Sequence, residues 1–299
     1  MSIERRKALQ ATVVYELFVR TADENYITAR WCVINGLYTD FFWLAVHALE
    51  KYLKAVLLMN GKSSIRDSTL GKKGASYSHN IVKLYDAVAA FAADLLPSTV
   101  SVPQVLIRPA RDLPARRFLD YLYRRGNADN RYLLHGYTAH QPQDLFMLDR
   151  MVFAVRRLIC PLDDRAFPGR IPCAITHRER LAKEPNYFCR LGMPLDDLIA
   201  ASENSPTRIA ALDQNVPFAP PDFTHTCLQM EASSIHHPII DHRIFGPLQS
   251  NNRYSVAEGL AVAEWLIENV KLPERKGELR DQIKTAIEAA KNSRNPSGC

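Results

Sequence analysis

Between Tyr38 and Met59 the chain reads YTDFFWLAVHALEKYLKAVLLM, with no glycine or proline, and Phe42, Val46, Leu49, Leu53 and Val56 recur at alternating steps of four and three. That period fits one face of an α-helix and not a strand, whose side chains alternate at two. Phe41, Leu44, Ala48, Tyr52 and Ala55 widen the stripe, while His47, Glu50, Lys51 and Lys54 fall on the opposite face. Glu50 precedes Lys54 by four residues, the order that favours a helical ion pair. Asn60-Gly61 follows where a helix would stop. About 20 residues make a rod of roughly 30 Å, so other long helices must pair along it to cover the stripe.

Other segments repeat the pattern. Residues 4–20 predict a helix with Leu9, Val13, Leu17 and Val14 on one face, and residues 24–35 a second. Ser78 suits the N-cap of a helix from His79 to Leu95, with Ile81, Leu84, Val88 and Phe91 inward. Pro97, Pro103, Pro109 and Pro114 predict an extended connector before a short helix, Ala115 to Arg124, which Gly126-Asn127 ends. Leu145, Leu148, Val152, Val155 and Ile159 mark a helix from Asp144 to Cys160. The proline-spaced residues 161–194 read as a linker or lid, placing a domain boundary near residue 165: a helical bundle over 1–165 and a smaller, mostly helical region over 166–299. In the latter, short helices are expected at Leu195–Glu203 and Thr207–Gln214, and an irregular segment at Val216–Tyr254. Ser255 to Glu258 forms a capping-box pattern for a helix Val256–Val270, and Pro273 precedes a last helix striped by Leu279, Ile283, Ile287 and Ala290. The fold class expected is all-α.

The hydrophobic share of 47% suffices for a sizeable core and excludes global disorder. Six cysteines spread over 299 residues form no CxxC pair, which predicts free thiols in a reducing cytoplasm. No secretory signal is read at the first residues, and Glu50, Lys51 and Lys54 interrupt the most apolar run, so no membrane span is expected. Of the net charge of +6, nearly all lies between Pro103 and Arg157, where ten arginines meet five aspartates and neither lysine nor glutamate occurs. The guanidinium fork suits phosphate, so a polyanion partner is one expectation; pairing of these arginines with the nearby aspartates is the other.

Ala48, Leu49, Glu50, Lys51, Leu53, Lys54, Ala55 and Gly61, followed by Ser78, His79, Ile81 and Leu84, make a pattern that resembles the HEPN domains, helical domains named for nucleotide binding in higher eukaryotes and prokaryotes. The resemblance extends through Asn130-Arg131-Tyr132 over roughly the first 160 residues. It implies an antiparallel bundle that pairs as a homodimer and engages nucleotide or RNA, in prokaryotic defence or toxin–antitoxin settings. Catalytic members carry an Arg, four to six residues, and a His that meet across the dimer. Here Arg131 and His135 are separated by three residues, and the position the shortest family spacing wants for Arg is Asn130. The resemblance therefore implies binding without cleavage, with Ser78, His79, Asn80, Arg124, Arg125, Asn130 and Tyr137 as nucleotide- or RNA-binding residues. Arg131 and His135 stand as the catalytic pair should the chain be a metal-independent ribonuclease. A non-enzymatic dimerisation or docking scaffold is the alternative from another class. No cofactor is expected. His225, Cys227, His236, His237, Asp241 and His242 are acceptable zinc ligands by type, but their spacing matches no metal motif, and no metal site is assigned.

Overall fold

The computed structural model describes residues 3–65, 76–101, 112–128, 130, 136–140, 142–166, 175–184, 187, 195, 205–225, 234–236, 240–270, 272 and 278–293. It is mostly helical. The chain divides into two compact units, residues 1–127 with 140–232, and residues 128–139 with 233–299.

The central element of the first unit is α3, Tyr38–Met59, with the bounds its apolar period predicts. It follows α1 (Ile3–Val14), a π-helical turn (Tyr15–Val19) and α2 (Arg20–Ile34). The two helices expected at 4–20 and 24–35 are thus one nearly continuous path, because nothing between Arg20 and Glu24 breaks the backbone. Both α2 and α3 end on an Asn-Gly pair. Gly36 (φ +75°) and Gly61 (φ +66°) take the left-handed conformation that glycine adopts without penalty. Leu37 N–H then donates to Cys32 O (2.8 Å) and Gly36 N–H to Val33 O (3.2 Å); Lys62 N–H donates to Leu57 O (2.8 Å) and Gly61 N–H to Leu58 O (3.1 Å). These are paired Schellman closures that satisfy the orphan carbonyls of each helix end.

Around α3 pack α2, α4 (Ile81–Ala92), α5 (Ala115–Gly126) and α6 (Gln143–Arg156). Phe41, Phe42, Leu49, Tyr52, Leu53 and Leu57 are fully covered, and each such side chain contributes about 1.5–3 kcal/mol by leaving water. Two short strands, β1 (Thr99–Val100) and β2 (Leu113–Pro114), pair antiparallel at the foot of α5. Two shorter helices, α7 (His177–Lys183) and α8 (Pro206–Leu212), complete the unit.

Three expected details change. The cap of α4 is Asn80, whose Oδ1 accepts from Val82 N–H and Lys83 N–H at 3.0 Å each; Ser78 instead turns the chain at φ +49°. The helix α6 stops at Arg156, and Leu158 to Cys160 continue as turns that stay buried. Leu9, Val13 and Leu17 do share a face, but it points outward, at 52%, 53% and 62% exposure, while Val14 turns in.

The boundary expected near residue 165 falls inside the first unit. Proline breaks the helix there without releasing the chain. The Asn60 side chain donates to Cys160 O (3.1 Å) and accepts from Leu162 N–H (2.9 Å), and His177 N–H and Arg178 N–H donate to Asp164 O and Leu162 O. Thr176 and Glu179 close a capping box at the start of α7. His177 is buried beside the Tyr187 hydroxyl, 3.1 Å from its Nδ1, and burial pushes its imidazole below the usual value. An unfolded chain then binds more protons than the folded one just below the ordinary histidine pKa, so stability contributed here falls as pH drops below about 6.5. His177→Gln should flatten that part of the fall, measured as urea midpoints between about pH 7.5 and about pH 5.

In the second unit β3 (Tyr137–Ala139) pairs antiparallel with β4 (Ser234–His236), which explains why residues 128–139 belong with the end of the chain. A π-helical turn (Asp241–Phe245) runs into α9 (Gly246–Leu248), then α10 (Arg253–Asn269) and α11 (Leu279–Asn292). Asn252, not Ser255, caps α10, accepting from Tyr254 N–H at 2.9 Å. The core is Ile244, Leu248, Val256, Leu260 and Ala263 against Ile283, Ile287 and Ala290, so the stripe expected on the last helix is buried. The segment read as irregular carries β4, the π-turn and α9. The expected helix Leu195–Glu203 lies outside the described residues except Leu195.

Candidate functional site

The outer face of α3 places His47, Glu50 and Lys54 at steps of three and four, so they share one strip of helix surface. The Ser78 turn brings His79 over the same strip. Glu50 is buried, and its carboxylate is the hub. It accepts from Lys54 Nζ at 2.6 Å, lies 3.1 Å from His79 Nδ1 through both oxygens, and 3.8 Å from His47 Nδ1. Of the side chains around it, His79 is 74% exposed, while His47 and Lys54 are half-buried at 25% and 20%. A carboxylate on Nδ1 fixes that nitrogen as the donor and leaves Nε2 as the other ring nitrogen of His79. Trp43 meets His47 edge to face at 4.1 Å between centroids, and His47 meets His79 at 6.5 Å. Trp43, His47 and His79 therefore form an aromatic row, with Lys54 beside it and one buried acid beneath. Lys83, on the first turn of α4, is exposed.

The arginines expected to meet phosphate divide by environment. Arg124 is exposed and paired with Asp120 at 2.9 Å. Arg125 stacks over the Tyr121 ring at 3.7 Å and donates to Tyr121 O. Arg116 holds Asp86 through Nε and Nη2 at 2.9 and 3.0 Å. Arg157 donates to the carbonyls of Leu181, Glu184 and Tyr187. Arg117 and Arg150 are exposed.

Arg156 is taken out of the solvent altogether. It forms a bidentate pair with Asp23 (3.0 and 3.1 Å), and seven residues along each helix Arg30 forms another with Asp149 (2.9 and 3.2 Å). All four side chains are buried. Tyr52 OH donates to Asp23 Oδ1 and Tyr26 OH to Asp149 Oδ1 (2.6 Å). Arg30 also donates to the carbonyls of Ala210 and Asp213, and Asn215 Nδ2 donates to Tyr26 OH (2.9 Å), so the network fastens α8 and its following turn to the bundle. Burial pushes the Asp149 carboxyl up and the Tyr26 and Tyr52 hydroxyls well up, while Arg30 opposes the shift at Asp149. Every charge here has an opposite charge and hydrogen bonds on it, which is the condition for tolerating it in a core. This is a lock, and it offers no open position for a substrate.

Of the sequence-expected residues, Ser78, His79 and Asn80 lie together, with Asn80 committed to capping and Ser78 to the turn. Arg124 and Arg125 lie on α5 of the same unit. Asn130, buried, and Tyr137, in β3, belong to the second unit. Arg131 and His135 lie outside the described residues. The sequence reading did not name Trp43, His47, Glu50 and Lys54 as site residues; it placed the last three on the face of α3 opposite the apolar stripe. The available signal was their i, i+3, i+7 spacing with a carboxylate in the middle. Among the described residues no three His, Cys, Asp or Glu side chains are grouped to hold a metal ion, and no helix is long and apolar enough to cross a membrane. His225 accepts from Gln214 N–H at 2.9 Å and lies 3.8 Å from Asp213; Cys227 and His237 lie outside the described residues. No family model, curated protein or solved structure matches the chain.

Proposed function

We propose that this protein is a HEPN-like helical bundle that engages nucleotide or single-stranded RNA on the face of Trp43, His47, Lys54 and His79, without cleaving it. The observation that carries the reading is the aromatic row beside Lys54, held in register by the buried Glu50. Bases of any identity stack on aromatic rings, and a neighbouring cation takes the phosphate. Glu50 orients His79 so that the ring is fixed before a ligand arrives, which lowers the ordering cost of binding. Cleavage needs a base and a phosphate-holding cation set against each other. For that role the chain offers Arg131 and His135, one residue short of the family spacing.

Anisotropy of a labelled single-stranded oligoribonucleotide tests the proposal. Binding is expected at low salt and should weaken linearly in log–log form as salt rises. Trp43→Ala should weaken it by about tenfold through lost stacking, and His79→Ala with Lys54→Gln should flatten the salt slope. The oligonucleotide should remain intact on a gel. Wild-type affinity in both variants would remove this face from consideration.

The outward stripe of Leu9, Val13 and Leu17 favours a second reading, a dimerising scaffold. Light scattering at micromolar concentration should then give a dimer that Val13→Glu converts to a monomer.

A further inference from the structure

The first unit contains a second concavity, remote in its residues from the Glu50 face. It is a cavity of about 630 Å³ between α1, the C-terminal end of α3 and the 161–166 segment. Its origin is legible in side-chain size. The surface that α1 turns toward Leu58 and Met59 carries Ala8 and Ala11, and the opposite rim carries Gly61 and Ala166. Small residues on facing walls leave space that neither helix fills, while the larger Leu9 and Val13 point to solvent. The walls are fixed. Asn60 ties Cys160 and Leu162 to the end of α3, and Lys7 reaches across from α1 to Asp164 at 2.9 Å. The volume lies within the range of small-molecule sites, which are mostly apolar with a few polar groups at one end.

The rim carries two acids, Asp163 and Asp164, and two bases, Lys7 and Arg165, and Arg178 behind it is shared between Asp163 and Asp94. Asp164 is paired with Lys7, and Asp163 with Arg178 at 3.3 Å. His177 lines the wall as a buried imidazole, and burial lowers its proton affinity against the opposing pull of Asp164. Arg165 is exposed on the rim, and among the described residues it forms no ion pair. An apolar trough closed by one uncommitted guanidinium is a complement to an apolar acid. We infer that this cavity binds a small amphipathic carboxylate, its hydrocarbon body against Ala8, Ala11, Leu58 and Met59 and its carboxylate on Arg165. The inference stands independently of the nucleotide-binding proposal, which uses no residue of this cavity.

Isothermal titration of the full chain with decanoate, below its micelle concentration, tests it. One saturable site per chain is expected, with octanoate weaker by roughly tenfold for its two missing methylenes. Arg165→Gln should weaken decanoate by about tenfold through loss of a charge-assisted bond and leave decanol unchanged. Ala11→Phe should abolish binding by filling the trough; Ala8→Leu, a smaller change, should weaken it, and circular dichroism reports that each variant is folded. No saturable decanoate binding, unchanged binding in folded Ala11→Phe and Ala8→Leu, or tighter binding of decyltrimethylammonium than of decanoate would each overturn the assignment.

Discussion

Replacing Asp149 with alanine should destabilise the first unit by roughly 3–5 kcal/mol, because Arg30 would remain buried with no counter-charge. For a unit of this size that corresponds to a fall in Tm of roughly 6 to 20 °C. Replacing both partners, as Arg30→Met with Asp149→Leu, should recover only part of the loss. Arg30 also serves the carbonyls of Ala210 and Asp213, and Asp149 accepts from Tyr26, so the apolar pair would orphan three buried groups. Thermal unfolding followed by circular dichroism separates these outcomes. Full recovery in the double variant would mean that the Arg30–Asp149 pair contributes no more than its volume.

That network shows where the sequence was readable and where it was not. The apolar period placed α3 to the residue, and Asn60-Gly61 and Gly126-Asn127 marked two helix ends, because these signals are local. Long-range pairing is not local. Asp23 and Arg30 lie seven apart on α2 and Asp149 and Arg156 seven apart on α6, in the same acid-then-base order, so that antiparallel packing sets each acid against a base. Read singly, Arg156 belonged to a basic segment facing phosphate; its partner stands 133 residues earlier. A charge falling on the apolar face of a strong helix was the available sign. The unit division was hidden for the same reason, since residues 128–139 join the second unit through strand pairing with residues 234–236. At the candidate site His79 was legible beside a helix start. Its dependence on Glu50 was not, because the Ser78 turn that brings them together takes a left-handed conformation that serine seldom adopts.

Gly126→Ala should be nearly as damaging as the loss of Asp149, although it adds one methyl group. A Cβ at this position would lie 2.1 Å from Phe42 O, 2.5 Å from its carbonyl carbon and 2.8 Å from Val46 Cγ2. The obstructing atoms are the backbone of the central helix, which cannot turn aside, so α5 must lift away. The expected cost is at or above the upper end of the overpacking range, roughly 3 kcal/mol, read from urea unfolding. Tyr121 should lose its edge-to-face contact with Phe42, while the stack of Arg125 on Tyr121, both on α5, moves with the helix. A change under about 0.5 kcal/mol, the usual range of surface substitutions, would mean that α5 does not press on α3 at this point.

The proposed binding face is tested most directly by histidine ring spectra, recorded by ¹H–¹³C NMR as single-stranded oligoribonucleotide is added. The ring signals of His47 and His79 should shift and saturate together, while those of His177 and His225, held in other parts of the chain, stay in place. Bound RNA with unmoved His47 and His79 signals would contradict the account.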